Sequence, residues 1–134
     1  MRRIAIPAEG SFGPFSAKTA VGVLRYGSDP VVAVIDSATA GKTADEVLGE
    51  AGGVGAGIPV VASVAEALKH DPDTLLLGIA PIGGRLPDAW RPGILLALEK
   101  KLLHHAITRL RAEAEAGDGR EADRAVRALF ALDP

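Results

Sequence analysis

The sequence predicts a Rossmann-like α/β fold, a parallel sheet with helices on both faces, followed by a C-terminal helical hairpin. Over residues 1–100, strand-like and helix-like segments alternate four times with short connections between them. The strand-like segments are apolar throughout, which is typical of parallel strands buried on both faces. Because crossovers between parallel strands are right-handed, a Rossmann-like strand order is the expected topology.

Apolar periodicity and capping residues place the individual elements. The four predicted strands cover residues 2–8, 30–36, 58–63 and 73–80. The helices between them are predicted at residues 16–27, 43–51 and 64–70. The expected N-terminal caps are Ser16, Thr43 and Ser63, with Glu46 completing a capping box and Gly27 ending the first helix.

The last third of the chain predicts a helical hairpin. Residues 90–116 contain an apolar stripe at three- and four-residue intervals, and "GDG" at 117–119 separates them from a second amphipathic helix at 120–132. We therefore expect two parts, a Rossmann-like domain at 1–100 and a hairpin extension at 101–134 that continues the domain's last helix. The apolar faces of the hairpin favour self-association into a homo-oligomer.

Composition and charge exclude several classes of function. The 134 residues are 48% hydrophobic, carry a net charge of −2 and have a pI near 5.9, so nothing favours binding to nucleic acid or an anionic membrane. No cysteine is present, and no apolar run reaches membrane-spanning length. The three histidines have no partners at ligand spacing, so no metal site is predicted. The expected location is cytoplasmic.

The loop after the first strand, "AEGSFGPF" at 8–15, partly matches the dinucleotide-binding pattern G-x-G-x-x-G. Gly10 and Gly13 take the second and third glycine places, but Ala8 takes the first. Pro14 follows at once and delays the helix. Two interpretations stay open here, an anion-binding loop that includes Ser11, and an ordinary glycine turn.

The loop after the second strand, "DSATAGKT" at 36–43, ends like a phosphate-binding loop. Asp36 stands where that loop needs its first glycine, so nucleotide hydrolysis is not predicted. In a dinucleotide-binding fold an acid at this spacing binds ribose hydroxyls; the alternative is a turn aspartate. Lys42 either neutralises a ligand anion or is a solvated lysine beside the capping Thr43.

The loop after the fourth strand, "APIGGRLP" at 80–87, contributes two glycines and Arg85. Two interpretations stay open: Arg85 reaches a ligand anion, or the stretch is an ordinary loop. No catalytic residue is assigned, because no serine in these loops has a visible histidine–acid pair. The candidate ligand-binding residues are Gly10, Ser11, Gly13, Asp36, Ser37, Gly41, Lys42, Thr43, Gly83 and Gly84.

These loops together resemble the N-terminal domain of the D-glutamate N-acetyltransferase family, formerly described as a domain of unknown function and as NAD-dependent epimerases. The resemblance covers about residues 2–100 and is carried by "RRIAIPAEGSFGP", "VVAVIDS", "AGKTADEVLG", "GIPVVASVAEAL" and "PDTLLLGIAPIGGRLP". It implies a Rossmann-like fold followed by a larger domain with its own phosphate loop. Weaker similarity extends to CoA-binding domains of the succinyl-CoA-ligase type.

This chain departs from that family after Lys100, where it continues as one helix instead of a further strand. The stretch "RLRAEAEAGDGREADRAVRAL" is biased to Ala, Glu and Arg, as designed helices are. The resemblance is therefore compatible with a designed fusion and with a short natural paralogue.

Two functions follow as hypotheses. The first is a non-catalytic Rossmann-like module that self-associates through its C-terminal hairpin. The second is a domain that binds a nucleotide or a CoA-type ligand, taken from an acyltransferase-like protein without its P-loop domain. No cofactor is assigned under the first hypothesis.

Overall fold

A computed structural model describes residues 1–80 and 82–100 of the chain. The chain divides into two compact units, Met1–Ala97 and Leu98–Pro134. The predicted hairpin at 101–134 lies outside the described residues, so its structure, its role and the boundary at residue 100 stay predictions.

A four-stranded parallel sheet forms the centre of the first unit. Its strands are β1 (Ile4–Pro7), β2 (Val31–Ile35), β3 (Val60–Val61) and β4 (Thr74–Leu75), in the spatial order β3-β2-β1-β4. The parallel sheet and the Rossmann-like order are therefore confirmed. Each strand is shorter than predicted; β3 loses its first two residues because Pro59 forms an antiparallel bridge with Thr43.

Helices connect the strands in the predicted order. They are α1 (Lys18–Tyr26), α2 (Ala44–Leu48) and α3 (Val64–Ala67), with α3 continuing as a 3₁₀ turn at Leu68–His70. After β4 come 3₁₀ turns at Ile82–Gly84 and Asp88–Trp90, and then a helix, α4, whose described part covers 91–100.

Two of the three predicted caps are confirmed. Thr43 and Glu46 form the capping box of α2, with the Thr43 amide donating to Glu46 Oε2 at 2.9 Å. At α3, Ser63 Oγ accepts from the Glu66 amide at 3.2 Å. Ser16 does not cap α1: the cap position is Ala17, in the left-handed region at φ 49°. The Ser16 hydroxyl donates instead to the carbonyl of Ser11, inside the preceding loop.

Helices cover both faces of the sheet, as predicted. On one face, Ile6 and Val34 from the strands pack with Ala20 of α1 and Leu48 of α2. On the other face, alanines and Ile35 from β1 and β2 pack against Ala67 of α3. The many alanines at these contacts are fully buried, which lets helix and sheet approach closely.

The order in which the chain adds parallel strands to the sheet reverses at β1. The chain runs outward from β1 through β2 to β3, then returns to place β4 on the other side of β1. Gly78, just after β4, packs into this reversal: the Ala20 amide of α1 donates to its carbonyl at 3.0 Å. A Cβ on Gly78 would lie 2.9 Å from the Ala20 methyl and still closer to Ile6.

We expect Gly78→Ala to lower the free energy of unfolding by about 1–3 kcal/mol, because α1 and β1 must separate to admit the methyl group. Chemical denaturation measures this loss. The matched control is Gly22→Ala in α1, where a Cβ would meet nothing within 4 Å. That change should raise stability by about 0.5–1 kcal/mol, since alanine favours a helix interior. Equal effects of the two substitutions would contradict the packing at Gly78.

Candidate functional site

The carboxyl ends of the strands form the edge where folds of this kind bind ligands. Three loops at this edge carry the candidate residues: 8–17 after β1, 36–43 after β2 and 76–87 after β4. The strand order reverses between β1 and β4. In folds of this kind the ligand crevice lies at such a reversal, here between the first and third of these loops. All ten candidate residues lie in the three loops.

Asp36 joins the first two loops. Its side chain is 1% exposed. Oδ1 accepts from the Gly10 amide at 2.9 Å and the Ala38 amide at 3.3 Å, and Oδ2 accepts from the Thr39 hydroxyl at 2.6 Å. Both carboxylate oxygens are thus used within the protein. This geometry favours the turn interpretation of Asp36 over ribose binding.

A second link between the same loops lies beside Asp36. Glu9, directly after the β1–Ala8 run, accepts from the Ser37 amide at 2.9 Å and from the Ser37 hydroxyl. Sequence reasoning named Ser37 but missed Glu9, and no motif marks this acid. The two links together hold loops 8–17 and 36–43 in one arrangement, and they bring Gly10, Asp36 and Ser37 together.

Of the two glycines in the first loop, Gly10 forms a tight turn. Gly10 has a φ of 72°, and the Ser11 amide donates to the Ala8 carbonyl at 3.0 Å to close the turn. Gly13 has no left-handed backbone, and a Cβ there would meet Ser16 Oγ at 3.3 Å. Because α1 begins only at Lys18, its first amides follow the glycines too late for the dinucleotide-binding pattern.

The GKT segment pairs with the chain beside β3 and does not form a phosphate cradle. The Gly41 amide donates to the Val60 carbonyl at 3.0 Å, and the Val60 amide donates to the Lys42 carbonyl at 2.9 Å. The Ala44 amide donates to the Ile58 carbonyl at 2.8 Å. The segment therefore covers the outer edge of β3, and its amides are spent on that pairing.

The two remaining amides of the segment are also occupied, and that of Lys42 donates to the Thr39 carbonyl at 3.4 Å. The Thr43 amide serves the capping box with Glu46, and the helix that follows has only five residues. Within the described part of the chain, the Lys42 side chain makes no hydrogen bond or ion pair, so it is the solvated lysine of the alternative interpretation or a free cation for a ligand.

Gly83 and Gly84 make the turn in the loop after β4. Both have positive φ values, 76° and 69°, and Arg85 beside them is exposed. Over residues 1–80 and 82–100, no hydrogen bond ties this turn to the other two loops. The start of the loop after β4 is held by Gly78, whose amide donates to the Pro7 carbonyl at 2.8 Å, but the Gly83–Gly84 turn has no such link among the described residues.

Among the described residues, Asp45 in the first turn of α2 is a titratable group whose pKa is shifted by its surroundings. It is buried, and its Oδ2 accepts from the Gly52 amide at 2.7 Å, which anchors the glycine-rich connector 52–57. The Thr43 hydroxyl first, and the Gly52 amide second, hold the pKa of Asp45 below its ordinary value, while burial acts in the opposite direction.

Metal binding and membrane spanning find no support in the part that is described. Residues 1–80 and 82–100 contain no group of three or more His, Asp or Glu side chains that could hold a metal ion. Among the same residues, no helix combines the length and the hydropathy needed to cross a membrane.

Fold and edge together define a Rossmann-like α/β domain whose first two ligand-edge loops are fixed to each other. A family model described as "Domain of unknown function (DUF1611_N) Rossmann-like domain" matches residues 37–102. The chain is similar to the crystal structure of a DUF1611 family protein from Anabaena variabilis ATCC 29413, with 35% identity and a TM-score of 0.66.

This similarity covers 75% of the present chain and 28% of the solved one. The chain therefore corresponds to less than a third of that protein. Comparison with curated proteins gave no match.

Replacing Asp36 with alanine should lower the free energy of unfolding by about 1.5–3 kcal/mol, because the change removes the hydrogen bonds that a buried carboxylate accepts from two amides and a hydroxyl. Chemical denaturation is the measurement, with Lys42→Ala as the exposed control from the same loop. We expect the control to stay within about 0.5 kcal/mol of the native chain. An Asp36→Ala effect no larger than the control's would contradict the structural role of this carboxylate.

Asp45 should make stability depend on pH. Because its pKa is lowered on folding, its contribution is complete above the unfolded value of about 3.9 and is lost as the pH falls through the folded value. The difference in stability between the native chain and Asp45→Asn should thus shrink as the pH falls toward acid. Denaturation at a series of pH values measures it, with Asp88→Asn at an exposed site as control. A pH-independent difference would refute the prediction.

Proposed function

We propose that this chain is a non-catalytic Rossmann-like module that acts by association, with residues 101–134 mediating contact between copies. The observation that carries the proposal is the internal use of polar groups at the carboxyl edge of the sheet. Asp36, Glu9 and the amides of 41–44 all bond within the protein.

Catalysis or phosphate binding at this edge needs donors and acids that face a ligand. In a Rossmann-like fold these come first from the loops after β1 and β2. Here the Gly10 amide belongs to Asp36, and the Gly41 amide belongs to Val60. A ligand phosphate could take these amides only by breaking links that hold the loops together, which opposes binding.

Similarity to longer proteins supports a modular role. The chain matches 28% of the solved DUF1611 protein, so an activity of the whole protein would draw on parts that this chain does not match. The resemblance to D-glutamate N-acetyltransferases has the same consequence, because that family carries its phosphate loop in a second domain. The Ala-, Glu- and Arg-rich composition of 101–134 supports a segment added for assembly, as in a designed fusion.

Light scattering tests the association. The full chain should have the mass of an oligomer, and a version ending at Lys100 should have a lower mass, because the apolar stripe of the hairpin is removed. Circular dichroism of the shorter version checks that it folds. Equal monomer masses for the two chains would overturn the proposal.

A second function is favoured by one observation, the loop after β4. Its Gly83–Gly84 turn and exposed Arg85 border the crevice without being tied to the other loops. A nucleotide or CoA-type ligand would be held there, with Gly10, Ser11 and Gly13 on the opposite side. Thermal shifts with NAD, CoA, acetyl-CoA and ATP discriminate. Stabilisation by one of them, weakened in Arg85→Ala, would favour binding, since saturation at 100 times Kd adds about 2.7 kcal/mol.

A further inference from the structure

The outer face of α1 presents aromatic rings to solvent. The chain has only five aromatic residues, and two of them are 94% and 83% exposed: Phe15, in the loop before this helix, and Tyr26, its last residue. Between them lies a shallow groove of about 580 Å³. A protein this poor in aromatic residues gains nothing within its own core from rings placed in water, so the face suits a contact with another surface.

Gly22, in the middle of the nine-residue helix, is one of the residues that line the groove. Glycine weakens a helix interior, and it is kept where a side chain would obstruct a close approach. Within residues 1–80 and 82–100 nothing approaches, because a Cβ at Gly22 would meet none of their atoms within 4 Å. The missing side chain therefore makes room for a group from outside.

Two residues, Lys18 and Tyr26, are spaced symmetrically about Gly22 along the helix. Lys18 lies four residues before it and Tyr26 four residues after it, so the three share one face of the helix. Each is about 6 Å along the helix axis from Gly22. In the described part of the chain, Lys18 forms no ion pair, whereas Arg25 at the rim of the groove is held by Glu50 at 2.8 Å.

This spacing is self-complementary. If two α1 helices cross antiparallel at their Gly22 residues, Lys18 of each copy meets Tyr26 of the other. An ammonium over a tyrosine ring is a cation–π contact, and two-fold symmetry produces it twice. An acidic partner would use Lys18 but leave both rings uncovered, so the face fits a second copy better.

We propose that α1 is a homodimer contact, formed by antiparallel packing at Gly22 with reciprocal Lys18–Tyr26 pairs. This inference builds on the proposal that the chain acts by association, and it adds a surface separate from residues 101–134. Two exposed rings per copy bury about 600–1,000 Å² in all. That area lies below the standard range of stable interfaces, so the α1 contact is weak and depends on concentration.

Sedimentation velocity of the full chain over a wide range of concentrations tests this contact. Gly22→Gln fills the groove and should weaken the α1 association at least about tenfold, which corresponds to about 1.4 kcal/mol. Lys18→Ala removes two equivalent cation–π contacts and should weaken it about fivefold to thirtyfold. Lys69→Ala, which removes an exposed lysine on the other side of the sheet, is the matched control and should match the native chain.

Stability separates loss of contact from loss of fold. Gly22→Gln should not lower the melting temperature, because glutamine favours a helix more than glycine does. Unchanged association in both Gly22→Gln and Lys18→Ala would overturn the α1 contact.

A further variant keeps the two proposals apart. Leu110→Glu, in the predicted apolar stripe of the hairpin, should reduce association through 101–134 and leave the effect of Gly22→Gln intact. If Leu110→Glu alone abolishes all association, the hairpin proposal stands and the α1 proposal falls. If only the α1 variants have an effect, the reverse holds.

Discussion

The buried carboxylate of Asp36 is the interaction on which the ligand edge of this domain depends. Its two oxygens accept from a main-chain amide of the β1 loop and from an amide and a hydroxyl of its own loop. Hydrogen bonds to a buried carboxylate are among the strong ones that a protein makes. They fix the positions of both loops before any ligand is present. The same bonds remove the acid and the Gly10 amide from the groups that a nucleotide would contact.

In the GKT segment, too, the main-chain polar groups form hydrogen bonds within the protein. A sheet of four strands has two edges, and an uncovered edge invites unwanted pairing. The loop after β2 turns back so that its main chain pairs with Val60, which covers the edge of β3. Glycine at 41, with φ of 92°, permits that return. A sequence that ends like a phosphate loop thus covers the edge of β3. Amides that bond to this edge are not free to bind a phosphate.

Local patterns predicted the fold well, and contacts distant in sequence account for the differences. The capping box of Thr43 and Glu46 spans four residues, so the sequence shows it directly. The cap of α1 was predicted wrongly because Ser16 bonds to Ser11 within a loop whose path the sequence does not specify. Asp36 was placed correctly at the end of β2. Its partner Gly10 lies 26 residues away, and only the assembled sheet brings the two together.

Comparison of the two surfaces of the domain explains why association is the better interpretation of its role. At the carboxyl edge, the polar groups of the first two loops already have partners within the chain, so a ligand must compete for them. On the outer face of α1, the Phe15 and Tyr26 rings and Lys18 face solvent around Gly22. A Cβ at Gly22 would meet no described atom within 4 Å. Groups on the helix face exchange only their contacts with water when they meet a partner. The helix face is therefore the surface that we propose for a new contact, and the spacing of its residues suits a second copy of the same chain.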